Sequence, residues 1–365
     1  MFRFRRAECM FWVHSMRTTH CQLTSAQDSE IPSQQPRIRR TDQVKSFLPR
    51  CLPRIALVKQ LWRYEGILAA SLVVFDDVAY AFALVASLAF AAPAANARSL
   101  KQDSSSITDA DILNFALNLE CLEAQFYSCA VYGQPLSAEL TGNGPAPIGC
   151  QSANFTNDDI YSVAMDVANN EIAHVNYLRT ALGNYSVQCP LVNIGSAFSD
   201  AANAVLNTTL SPPFSPYVND LYFLHGAFIF EDVGVTAYKG ALTSFQSKDI
   251  MLAAAGIMAV EAYHAGYVRT ALIQNGDVMT PYGVNVTTIV NAISAGRDML
   301  DNKTVNTVDD EGIYNANTGD YILTPVDGNA VAYSRTPAQV LDIVYLGSAS
   351  TPGGFFPNGL NGKIH

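Results

Sequence analysis

The chain has 365 residues, 49% hydrophobic and only 15% charged, enough for one large domain or two small ones with a sizeable core. Residues 1–63 hold 12 of the 22 Lys and Arg but only four of the 32 acids, leaving 10 basic and 28 acidic side chains for the remainder. A body with that net charge (10 minus 28, or −18) excludes nucleic-acid binding through phosphate contacts and attracts cations.

Residues 1–97 read as a targeting region. "MFRFRRAECMFWVHSMRTTH" and "QQPRIRR" are Arg-rich without periodicity, and "VAYAFALVASLAFAAPAANA" reads as a signal-peptide core with an A-x-A site at Ala95-Asn96-Ala97. It lies far from the first Met, as a start placed upstream of the true one would produce. A transit segment to an organelle and an uncleaved anchor are the alternatives. The expected location is extracellular or in the cell wall. Five N-x-[ST] sites after residue 97 agree with secretion: Asn154, Asn184, Asn207, Asn285 and Asn302. Cys121, Cys129, Cys150 and Cys189 allow up to two disulfides and three pairings. Cys121 and Cys129 sit two turns apart on one helix, too far to bridge each other.

Four long helices are expected over residues 105–276. Thr108, with Asp111 three residues on, caps the first, and Gly133 and Pro135 end it. Thr156, with Asp159, opens the second, which stops at Gly183. A long connection follows, with a short helical patch at "SAFSDAANAVL". The third helix is expected over about 217–245 and the fourth over about 248–274. Helices of roughly 25 residues are about 35–40 Å long. Their medium, long and very short connections suit an all-α four-helix bundle with a long crossover between the second and third helices. An irregular helical domain or a membrane bundle is the alternative. Against the membrane, no run after the signal-like segment reaches 18 uncharged apolar residues. Residues 277–365 read as an extension packed on the bundle: a fifth helix, short strands, a capped helix at "TPAQVLDIVY" and a Gly/Pro-rich tail.

The second helix carries Glu171 and His174, the fourth Glu261 and His264; each pair is at i and i+3, on one helix face. The first helix carries Glu120 and the third Glu231, each followed seven residues later by a tyrosine, Tyr127 and Tyr238. The chain thus reads as a doubled unit. Unpartnered buried carboxylates cost several kcal/mol each, and four facing inward would also repel. Two divalent ions would neutralise four carboxylates, with one histidine for each metal. Glu120 competes with Glu123, one turn on; Glu120 is preferred because Tyr127 then mirrors Tyr238, leaving Glu123 beside the ligands or at the surface. Tyr127 and Tyr238 either donate hydrogen bonds to ligands or fill core. Asp166 and Asp232 fall off the ligand face and are expected to be exposed, and His225 is expected to be structural.

The pattern resembles the ferritin-like superfamily, in which dinuclear iron or manganese sites take a Glu from each of two helices and Glu-x-x-His from each of the other two. "DILNFALNLECLEAQFY", "PPFSPYVNDLYFL", "PYGVNV", "RTPAQVLDIVY" and "PGGFFPNGLNGKI" are similar to the plant desiccation-related protein family, over about residues 105–365. The resemblance implies a metal-binding bundle, often secreted or cell-wall associated, with no firmly assigned reaction. The superfamily's chemistry is ferroxidase action, O2 activation and, with manganese, peroxide disproportionation. The expectation is a pair of iron or manganese ions, with zinc also suited to the donors, acting on O2 or peroxide. Glu171 and Glu261 would bridge, Glu120 and Glu231 would be terminal, and His174 and His264 would each bind one metal. The alternative is a desiccation or stress protein whose metal is structural or absent. An iron-storage cage ranks third, because the C-terminal extension and scattered sequons would crowd a closed shell.

Overall fold

The computed structural model describes residues 106–301 and 310–365. The targeting region (1–97) and Asn302 lie outside the described residues. The first bundle helix, α1 (Asp109–Tyr132), starts at the Thr108–Asp111 capping box and ends at Gly133, whose φ of 65° is the left-handed conformation glycine adopts cheaply. A single turn, α2 (Ala138–Thr141), precedes the second bundle helix, α3 (Asp158–Leu182). The expected cap of α3 is corrected. Asn157, not Thr156, accepts from the N–H groups of Asp159 and Ile160. Thr156 is drawn away because its hydroxyl and N–H both donate to Asp220. That buried carboxylate tethers the entry of α3 to the first turn of the third bundle helix.

The crossover contains α4 (Ser196–Val205). The third bundle helix, α5 (Asp220–Ala241), is shorter than expected. Asn219 caps it, and Tyr217 instead donates its hydroxyl to the Ile194 carbonyl. The fourth, α6 (Lys248–Gln274), has the expected bounds, with Ser247 as cap. Helix α1 packs chiefly on α3, and α5 on α6, so the bundle is two helical pairs joined by the crossover. The extension supplies α7 (Val286–Asp301), an antiparallel pair β1 (Tyr314–Asn315) and β2 (Asp320–Tyr321), and α8 (Pro337–Val344), which opens on a Thr336–Gln339 capping box. Among the described residues, no helix is long and apolar enough to cross a membrane.

Aromatic rings knit the crossover and the tail to the bundle. Phe126 stacks on Phe223 at 5.5 Å, and Phe198 and Phe230 both meet the edge or face of Phe355, a fully buried tail residue. A second link is ionic and corrects an expectation. Asp232 is only 4% exposed. It accepts from Arg269 of α6 at 2.8 Å and Arg297 of α7 at 2.9 Å. Arg297 also reaches Asp310, which pairs with Arg335, which holds Asp301. The face of α5 opposite the ligand face is therefore covered by the extension, not by water. Asp166 is exposed, as expected.

Two disulfides join α1 to its flanking loops, Cys121–Cys189 and Cys129–Cys150, closing spans of 68 and 21 residues. Loop-closure entropy puts their contributions at about 4 and about 3 kcal/mol. Replacing Cys121 and Cys189 by serine is expected to cost the larger amount, measured as a fall in the urea midpoint with a steeper slope, because the denatured chain without the cross-link is more expanded.

Candidate metal centre

The six predicted ligands converge in the bundle interior. Glu120, Glu171 and Glu261 are 0% exposed, Glu231 1%, His264 6% and His174 8%. Each comes from a bundle helix whose 3.6-residue period turns that face inward. His174 Nδ1 lies 3.2 Å from Glu120, 3.4 Å from Glu171 and 3.5 Å from Glu261. His264 Nδ1 lies 3.0 Å from Glu171 and 3.4 Å from Glu231. Two groups of donors result: Glu120, Glu171, His174 and Glu261; and Glu171, Glu231 and His264, with the ligand atoms of each group all within 4.8 Å of one another. Glu171 belongs to both, and its two oxygens face different histidines. Glu261 stands in the first group only. Of the two carboxylates expected to bridge, Glu171 has the shared position.

Both oxygens of Glu171 and of Glu261, one oxygen of Glu231, and His264 Nδ1 have no hydrogen-bond partner. Buried polar atoms are rarely left so. A cluster of orphaned oxygens facing two imidazoles fits a pair of divalent cations, in donor type and in charge.

The tyrosines are crossed. Tyr127 of α1 donates to Glu231 of α5, and Tyr238 of α5 donates to Glu120 of α1. Each shares a face with the Glu seven residues before it, yet its ring reaches across to the facing helix. The two bonds orient the carboxylates that each donor group does not share. His225 stands apart from the cluster: it is buried, with Nδ1 2.6 Å from the Leu221 carbonyl one turn back.

The family model for the ferritin-like domain matches residues 108–274, the four bundle helices. Desiccation-related protein PCC13-62 of Craterostigma plantagineum is 32% identical over 267 residues, covering 70% of this chain and 84% of that protein. The chain belongs to the ferritin-like superfamily, in the desiccation-related family. A second relative, Ferritin-like catalase Nec2 of Nesocodon mauritianus, is 30% identical over 271 residues, again covering 70% of this chain and 84% of the relative. No solved structure matches.

Within this ferritin-like site, the positions three residues after the four cluster glutamates are His174, His264, Glu123 and Gly234. The last two shape the α1–α5 side. Glu123 is buried at 6% exposure rather than at the surface. A Cβ on Gly234 would lie 2.5 Å from Glu261 Oε2 and 3.5 Å from Glu123 Oε1. Sequence reasoning missed Gly234; its signal is a glycine where the equivalent helix of the other half of the repeat has Glu123. Because the clashing atom is a carboxylate tip, Gly234→Ala is expected to fold with little loss of stability but to displace Glu261. Metal affinity should fall about 10–100-fold, read by competition with a chelating dye.

With protons as the only cations, the cluster shares them unevenly. Burial raises Glu120 to about 7, reinforced by Glu171 and opposed by His174. Burial also pushes Glu261 and Glu123 well above the usual carboxylate range, with Glu171 the leading neighbouring charge. Burial would raise Glu171 too, but the two histidines outweigh it and hold it at about 2. Burial would lower the histidines; Glu120 and Glu171 lift His174, and Glu231 and Glu171 lift His264, each to about 10. The signs give two pH limits. Stability from the raised histidines is complete below their unfolded value of 6.5 and is lost as pH rises through about 10. Stability from Glu171 is present above its unfolded value of 4.5 and is lost as pH falls toward about 2.

Proposed function

We propose that this chain is a secreted oxidoreductase that disproportionates hydrogen peroxide at a pair of iron or manganese ions. The observation that carries this reading is the shared position of Glu171, one buried carboxylate belonging to two donor groups, with both its oxygens, both of Glu261 and one of Glu231 making no hydrogen bond. A redox-active metal pair supplies reversible two-electron exchange with peroxide. The protein does the rest. Glu120, Glu261 and His174 would hold one ion and Glu231 and His264 the other, with Glu171 common to both groups. Tyr127 and Tyr238 fix the rotamers of Glu231 and Glu120. Burial of all six residues in the bundle interior keeps bulk water from the cluster.

Two features support secretion. The disulfides belong to an oxidising compartment. Asn154, Asn184 and Asn207 are exposed, and Asn285 is part-exposed at the start of α7. The name of the second relative supports peroxide as substrate, and the name of the first supports the alternative, a protective role in desiccation with a structural metal.

Elemental analysis of the native protein should find two equivalents of iron or manganese. Loading the chelated protein at pH 7 should release about two or more protons, because both histidines must give theirs up to bind. Oxygen evolution from peroxide, set beside Fe(II) oxidation, separates a catalase from a ferroxidase. A fully loaded protein inert in both assays would establish the structural reading instead.

A further inference from the structure

A second site lies apart from the carboxylate cluster. Helices α4, α5, α7 and α8 enclose a cavity of about 90 Å³. Its wall is almost wholly apolar, with Ala201, Phe214, Ile293 and Ile343 among its lining, and none of the six cluster residues borders it. The exposed Ala204 and Met299 mark its mouth. Two buried polar groups line this apolar space, His225 at 0% and Arg297 at 3% exposure. Arg297 commits its terminal nitrogens to the Phe228 carbonyl, Asp232 and Asp310, leaving Nε–H without a partner. His225 commits Nδ1 to the Leu221 carbonyl, which places its proton there and leaves Nε2 as a free acceptor. The Val286 backbone also acts on the ring and opposes the effect of burial on its charge. Burial pulls His225 down to about 4, so the ring is neutral at pH 7.

Native interiors rarely leave two such groups idle beside an empty space. An apolar cavity of about 150 Å³ takes up benzene, and this smaller space of about 90 Å³ opens at Ala204 and Met299. We propose that this cavity binds a small, mainly apolar molecule bearing one hydroxyl, of the size of phenol. The hydroxyl donates to His225 Nε2 and accepts from Arg297 Nε–H, and the hydrocarbon part fills the apolar wall. The proposal is independent of any metal at the carboxylate cluster.

Phenol and toluene are the probes, nearly equal in shape and differing in the hydroxyl. Titration calorimetry on the full chain should show phenol binding, with toluene about tenfold weaker. His225→Phe should weaken phenol about tenfold and leave toluene unchanged. Ala201→Leu, which fills the cavity, should abolish both, with metal content unaltered. Equal affinity for phenol and toluene in the unaltered protein would overturn the proposal without recourse to any variant. So would absence of phenol binding, or phenol binding that survives Ala201→Leu.

Discussion

Glu171→Ala is expected to empty both metal positions at once. Its two oxygens face His264 and His174 at 3.0 and 3.4 Å, and it is the residue common to both donor groups. Without it the first group keeps Glu120, His174 and Glu261, and the second only Glu231 and His264. Two donors do not hold a divalent ion in a buried site, and the first ion loses its bridge. Metal content should fall from two equivalents to near zero, and peroxide turnover by more than about a hundredfold. Glu231→Ala is the internal comparison, because Glu231 serves one group only; it should retain about one equivalent. Equal losses in the two variants would contradict the shared role. Far-UV circular dichroism on the chelated proteins keeps the comparison to folded chains.

The second large effect lies one residue from the site but concerns stability. Asp232→Ala is expected to destabilise the protein by about 3–5 kcal/mol, because it leaves the buried Arg269 and Arg297 without their shared counter-charge. For a domain of this size that is a fall in Tm on the order of 10 °C. Arg269 retains the carbonyls of Glu311, Gly312 and Ile322, and Arg297 retains Asp310 and the Phe228 carbonyl, so the chain should still fold. Asp166→Ala, at an exposed position, should stay within about 0.5 kcal/mol of the parent. A similarly small change for Asp232→Ala would show that the network is replaceable. Metal content should be unaltered, since Asp232 points away from the cluster.

The helices were legible because their signals are local. Thr108 with Asp111 sits where short-range capping chemistry demands and caps the helix read from it, and the capped helix read at "TPAQVLDIVY" opens on Thr336 with Gln339. Where a competing long-range partner exists, the local reading fails. Thr156 has the residue type of a cap, but Asp220, 64 residues on, takes its hydroxyl. Asp232 lies off the ligand face, and periodicity alone equates that with solvent. The reading failed because Arg297 and the extension, 65 residues further along the chain, cover that side of α5. Gly234 escaped notice because its value lies in an absent side chain, visible only once Glu261 stands opposite it.

The sequence by itself determined which side chains could form the centre. The 3.6-residue period places Glu171 and His174 on one face, and Glu261 and His264 on another, before any partner is known. Tertiary structure decided how those side chains are shared: Glu171 between two groups, Tyr127 with Glu231, Tyr238 with Glu120, Cys121 with Cys189. The physical reason is range. A helix is specified by bonds four residues apart, so its faces can be read from the chain. A pairing across 68 to 118 residues depends on which helices pack together and in what register, which no local spacing encodes.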